Sequence, residues 1–368
     1  FYQGPHGSHS LHGNVCHQVS KKRLLIIVIP LVVSLVIFCL FFLFQVPLIS
    51  PLADTVDNSV ILNQKISVKV TSGLQLDYSA SSTLPALEKI PHYLVYNSEN
   101  GKVYAGKGHT DSVSPASFTK LMTAQVAIDL SLPNQPFLVS ILATQKEPTT
   151  LGLKPGEQLF LPDLLRAVIA TSANDAAAVI AENSIKPYGG KLDTFIEQMN
   201  KKAVLLEMKN TGYANPEGYD DQKQYSTLED QVKLINNAQQ NYPDILYAGK
   251  SDREDILKSP THGKYYLTNW NGLLGVYPGV DGLKIAYTEN AGYSTIVTAV
   301  RHDVHIVAIL TGAGSIPERD LAAAALLDAA FMAEKIAPVN LTKRHLQPRY
   351  DVWNRLIRQT RRELEALK

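Results

Sequence analysis

Twenty-one consecutive residues, Leu24 to Phe44, carry no charge and are dominated by Leu, Ile, Val and Phe. At about 1.5 Å per residue, a helix of that length just crosses a hydrocarbon core about 30 Å thick. Lys21, Lys22 and Arg23 precede it immediately, and no basic residue follows until Lys65. That asymmetry puts the N-terminus on the cytoplasmic side and the rest of the chain outside. A cleaved signal peptide has a shorter apolar region and a small-x-small site after it, and Pro51-Leu52-Ala53 serves that purpose poorly. The expectation is an uncleaved single-pass transmembrane anchor over 24–46, a cytoplasmic tail over 1–23, and an extracytoplasmic remainder. The tail holds four of the ten histidines, but their spacing fits no metal site.

Outside the anchor the chain is long enough for one sizeable domain. The net charge of +1 supplies no basic field for nucleic acid. Both cysteines, Cys16 and Cys39, lie upstream of residue 50, so the exported part has neither a disulfide scaffold nor thiol chemistry. Residues 47–90 are rich in Ser, Thr, Asn and Asp and read as a linker, with a strand expected over Lys65 to Val70. Tyr93 to Tyr96, the turn Asn100-Gly101 and Lys102 to Ala105 form a hairpin signature. A helix is expected from Ser117 to Leu130, and a helix-rich stretch from Leu161 to about Gln240. Strand patterns return at Gly282 to Tyr287, Tyr293 to Arg301 and His305 to Thr311, and a helix over Pro317 to Ala333 closes a domain spanning 91–335. The tail, 336–368, is basic and carries one apolar stripe through Tyr350, Trp353, Leu356, Ile357, Leu364 and Leu367. Such a helix lies either on the outer membrane leaflet or against protein.

Within the domain, Ser117-Phe118-Thr119-Lys120 sets a lysine one helical turn after a serine, so hydroxyl and amine share a face. A serine hydroxyl becomes a useful nucleophile when a nearby base takes its proton, and a lysine is such a base once burial or a neighbouring cation depresses its pKa. Roughly one Ser-x-x-Lys is expected by chance in a chain of this size. The weight comes from two further elements in order, Thr171-Ser172-Ala173-Asn174-Asp175 and Gly279-Val280-Asp281-Gly282-Leu283-Lys284.

Together these three elements resemble the serine D-alanyl-D-alanine carboxypeptidases, the low-molecular-mass penicillin-binding D,D-peptidases. Asn210 to Gly218, Tyr225-Ser226-Thr227 and Leu267-Thr268-Asn269 extend the likeness over about 91–335. The resemblance implies an α/β (α+β) fold, an antiparallel sheet flanked by helices with a helical subdomain and the site in a cleft. It implies that Ser117 attacks the penultimate D-alanine carbonyl of a peptidoglycan stem peptide, that Lys120 takes the proton, and that Ser172 relays a proton to the leaving amine. Lys284 would help keep Lys120 neutral, and Asn174, Lys284, Thr288 and Arg319 would bind substrate. The backbone N–H groups of Ser117 and Tyr287 would form the oxyanion hole. No cofactor or metal is needed, β-lactams become covalent inhibitors, and the location is the bacterial cytoplasmic membrane.

Two positions depart from the family pattern. Lys284 is followed by Ile285-Ala286 where relatives carry Thr-Gly or Ser-Gly, which removes a hydroxyl for the substrate carboxylate and adds a methyl near the substrate's path. Gln224 stands where many relatives have histidine. The first departure leaves two alternatives beside the carboxypeptidase. One is a D,D-endopeptidase, which needs no free carboxylate; the other is a catalytically decayed peptidoglycan-binding protein. A β-lactamase is disfavoured, because no convincing Glu-x-x-Leu-Asn element supplies a deacylating glutamate. Oligomeric state is left open.

Overall fold

The computed structural model describes residues 58–71 and 73–366. The expected tail, the anchor and the start of the linker lie outside the described residues. The described part belongs to one compact unit, Asp57–Lys368. In chain order its helices are α1 (Asn58–Val68), α2 (Thr119–Leu130), α3 (Leu161–Arg166), α4 (Asn174–Ser184), α5 (Leu192–Leu205), α6 (Leu228–Asn241), α7 (Pro243–Lys250), α8 (Ile316–Ala333) and α9 (Lys343–Ala366). Its strands are β1 (His92–Asn97), β2 (Val103–Lys107), β3 (Pro136–Leu138), β4 (Gln158–Phe160), β5 (Arg253–Ile256), β6 (Tyr265–Thr268), β7 (Val280–Thr288), β8 (Gly292–Arg301) and β9 (Val304–Ala313).

Five strands make the main sheet in the order β2-β1-β9-β8-β7, antiparallel throughout. Strands from the two ends of the domain therefore meet at β1 and β9. The middle of β8 and of β9 is buried on both faces, which explains their run of β-branched residues in place of alternation. Their connection is a two-residue turn, His302 and Asp303, both with positive φ, the twist that a tight hairpin requires.

Helices cover both faces. One core layer, with Leu326, Leu327 and Phe331 of α8, packs on Val95, Val297 and Leu310 of the sheet. The other joins Leu94, Ile296 and Ile309 to the helical part, centred on α2. Every residue of α2 except Ile128 is buried, so it runs through the interior and its polar residues need internal partners. Thr123 donates to the Pro216 carbonyl, Gln125 to that of Leu234, and Asp129 pairs with Lys202.

The expected hairpin, nucleophile helix, three strands and closing helix are all present. The strand expected over Lys65 to Val70 is instead the end of α1 and the turn after it. Leu62 and Ile66, one turn apart, are buried, and α1 packs on α5 and α2. Residues 58–90 are thus bound to the domain, with bridges Asp77–Lys102 and Ser82–Ala105 securing them further. The first half of the basic tail also packs on protein: Leu346 and Trp353 of α9 are buried, and Tyr350 donates to Asp320.

Candidate active site

Ser117 lies in a 3-10 turn, Ala116–Phe118, that leads directly into α2. Ala116 before it has φ of 45°, a strained value for a residue with a Cβ. The strain is held by Gly218 in the loop pressed against it. A Cβ on Gly218, whose φ is +92°, would sit 2.1 Å from the Ala116 carbonyl oxygen and 3.0 Å from the Ser117 nitrogen. Only glycine permits that approach.

One turn further, Lys120 is fully buried and its amine is surrounded by acceptors. It donates to Ser117 Oγ at 3.1 Å, to Asn174 Oδ1 at 2.7 Å and to the Glu217 carbonyl oxygen. Burial brings its pKa down from the usual lysine range to about 7, while the carboxylates of Glu217 and Asp175 pull it back up. An amine poised there accepts a proton from serine at neutral pH.

Ser172 ends a single π-helical turn, Ala167–Thr171, and adopts the left-handed conformation with φ of 64°. Such turns insert one extra residue into a helix and re-aim the side chain that follows. Two residues on, Asn174 begins α4 and reaches Lys120. Asp175 in the first turn accepts the N–H groups of Leu151, Gly152 and Leu153, which pins α4 beside the cleft.

Lys284 enters from β7, is 1% exposed, and donates to the Ile285 carbonyl oxygen at 2.9 Å. Burial first, then the fields of Lys120 and Arg319, push it well below the ordinary lysine value. The expected mutual influence of the two lysines is therefore felt at Lys284, while burial is what depresses Lys120. Two amines in one dry cleft resist carrying two protons together.

The residues expected to receive substrate are placed less freely. Arg319, 2% exposed, is paired with Asp320 at 2.7 Å and donates to the Trp270 carbonyl oxygen. Thr288 donates to Asp220 Oδ1 at 2.8 Å, and Asp220 also accepts from Ser114 Oγ at 2.6 Å. That strap ties the end of β7 to the loop before the nucleophile. Tyr287, the second expected oxyanion donor, is half exposed, with its ring tilted against Tyr293. Ala286 is 1% exposed and belongs to the core beneath the cleft, so its methyl is packed against protein. Gln224 accepts the N–H groups of Ala214 and Asn215 and donates to Thr119 Oγ1 of α2. It therefore shapes the Asn215–Gly218 turn that grips the nucleophile.

Reading the motifs missed Glu217, Asp220 and Lys146. The first lies inside Asn210 to Gly218, one of the stretches that carry the resemblance. Lys146 carries no local signal, because only the fold brings it to Glu217.

Comparison with known proteins matches residues 82–315 to the family model described as D-alanyl-D-alanine carboxypeptidase, Peptidase_S11. The chain is 30% identical over 246 residues to the D-alanyl-D-alanine carboxypeptidase DacF of Bacillus subtilis, covering 66% of this chain and 62% of that protein. It spans less than two thirds of that relative's length. It is 29% identical over 253 residues to the D-alanyl-D-alanine endopeptidase of Pseudomonas aeruginosa, covering 66% of this chain and 79% of that one. Among solved structures it shares the fold of the Streptomyces K15 DD-transpeptidase, with a TM-score of 0.62 and 23% identity, covering 66% of this chain and 97% of that one. The family model covers more than half of the chain, and the chain belongs to the D-alanyl-D-alanine carboxypeptidase family of serine peptidases.

Proposed function

We propose that the protein is a membrane-anchored serine D,D-carboxypeptidase that removes the terminal D-alanine of peptidoglycan stem peptides. The observation that carries this reading is the buried Lys120 amine, lowered to about 7 and hydrogen-bonded to both Ser117 and Asn174. Lys120 takes the Ser117 proton as Oγ attacks the penultimate D-alanine carbonyl. The N–H groups of Ser117 and Tyr287 receive the oxyanion, Ser172 passes a proton to the departing D-alanine, and water then releases the acyl group. β-Lactams would acylate the same serine. The anchor is residues 24–46, and the bacterial cytoplasmic membrane is its place. Among the described residues no helix is long and apolar enough to cross a membrane.

A second reading, a D,D-endopeptidase, is favoured by the carboxylate end of the cleft. Ile285 offers no hydroxyl there, Thr288 is bound to Asp220 and Arg319 is bound to Asp320. A crosslink has no terminal D-alanine carboxylate that need be held there. A decayed site is disfavoured by the unbroken contacts among Ser117, Lys120 and Asn174.

Intact mass after incubation with benzylpenicillin tests the proposal, with Ser117→Ala as control. A penicilloyl adduct on the parent alone supports it. No adduct on the folded parent, with the penicillin left intact, sinks it. D-Alanine release compared with cleavage of crosslinked muropeptides then separates the two peptidase readings.

A further inference from the structure

Glu217 presents a buried carboxylate that the reaction above does not use. Its side chain is 1% exposed, and neither oxygen accepts a well-aligned hydrogen bond among the described residues. Among the described residues its ion-pair partner is Lys146, whose Nζ lies 3.1 Å from Oε1 and whose side chain is about one third exposed. An isolated buried carboxylate costs several kcal/mol, roughly, so one that persists needs a compensating field. The backbone of the same residue accepts a hydrogen bond from Lys120 Nζ. The loop carrying it is anchored on both sides, by Thr123 to the Pro216 carbonyl and by the approach of Gly218 to Ala116. Glu217 therefore touches the base through its main chain, and the charge of its carboxylate favours the protonated amine.

We propose that Glu217 and Lys146 are a positioning pair for the Ser117–Lys120 chemistry, in which the buried carboxylate offsets the cost of burying charge at the Lys120 amine and Lys146 at the rim moderates that carboxylate. The proposal deepens the acyl-serine reading, since Lys120 is the base there. The other charged or titratable groups around Lys120 are fixed differently. Asp175 of α4 is satisfied by three backbone N–H groups. Lys284 of β7 and, beyond it, Arg319 of α8 supply positive charge. Tyr219 donates to the Glu147 carbonyl oxygen, and burial raises its pKa to about 12, so it stays neutral. Among these groups Glu217 alone is both negative and short of donors.

The test follows the Lys120 amine itself. Full-length chain carrying isotope-labelled lysine is titrated by NMR, with the Lys120 signal identified by its loss in Lys120→Met. Glu217→Gln removes the negative charge with little change of shape, and the Lys120 midpoint is expected to fall by about one pH unit. Lys146→Met leaves the carboxylate unmoderated, and the midpoint is expected to rise. The second variant is at a partly exposed position, so it reports even where Glu217→Gln does not fold. A midpoint that stays put in the folded variants, or moves in the opposite directions, overturns the proposal and leaves Glu217 a loop-shaping residue. Penicilloylation is followed in parallel. A wild-type chain that takes no acyl group, together with variants whose Lys120 midpoint moves as stated, removes the catalytic reading and leaves the pair standing.

Discussion

Burial alone brings the Lys120 amine down to about 7, against two carboxylates that oppose it. Lys120 serves as base only when neutral, so the sign of the pH dependence follows. Above about 7 the amine is free and acylation runs at its plateau. Below it the ammonium predominates, and the acylation rate is expected to fall about tenfold per pH unit. Stopped-flow acylation by benzylpenicillin between acid and neutral pH checks this. A rate that stays flat down to the carboxylate range would remove Lys120 from the role of base. The same residues show what could be read before the structure. Ser117 and Lys120 meet because one helical turn separates them, which is local geometry, whereas Asn174 reaches Lys120 from 54 residues away and only through the fold. Thr288 and Arg319 were assigned by likeness to substrate, yet each holds an acidic partner in this structure. Asp220 and Asp320 decide that, and neither announces itself in a motif.

Among the elements, α2 gathers partners from around the domain. At its inner end Asp129 meets Lys202 of α5 at 2.7 Å, with both side chains fully buried, and Tyr242 donates to the same carboxylate. The carbonyl of Lys69, in the turn after α1, also receives this amine and hydroxyl. Burial raises the Asp129 pKa and lowers that of Lys202, so each group depends on the other to stay charged. Lys202→Met strands the carboxylate, and the loss of stability is expected to be about 3–5 kcal/mol. Replacing both, Asp129→Leu with Lys202→Met, should recover much of it, because no uncompensated charge remains. Urea unfolding of both variants checks this, and equal losses in the single and the double variant would show that packing, not charge, governs the site. This junction also explains why α1 was illegible. Leu62 and Ile66 are its only buried residues, set among polar ones, so the apolar stripe is too narrow to read as a helix. The strands at the far end of the domain had no such ambiguity, since β8 and β9 are long runs of β-branched residues closed by a tight turn.

At the scale of the whole molecule, the C-terminal helix α9 reaches the active site through a chain of contacts. Tyr350 donates to Asp320 Oδ2 at 2.8 Å, Asp320 holds Arg319, and the Arg319 charge is felt at Lys284. The adjacent Arg349 donates to the carbonyl oxygens of Asn269 and Asn271, and Asn271 donates to that of Gly282 on β7. Trp353 seals the contact, 5% exposed and packed edge-on against Trp270. The apolar stripe that suggested a lipid surface therefore has its first half committed to protein, while Val352 and Ile357 remain exposed. Two variants separate anchoring from electrostatics. Trp353→Ala removes a large buried side chain and is expected to cost about 3–5 kcal/mol of stability. Tyr350→Phe removes only one hydrogen bond to Asp320, a cost of about 1 kcal/mol. With Asp320 less occupied, it would bind Arg319 more tightly and weaken the positive field at Lys284. The expected result is a small change in thermal midpoint with a measurable change in acylation rate. If Tyr350→Phe instead lowers stability as much as Trp353→Ala and leaves acylation unchanged, α9 is a clamp on the fold and has no electrical connection to the cleft.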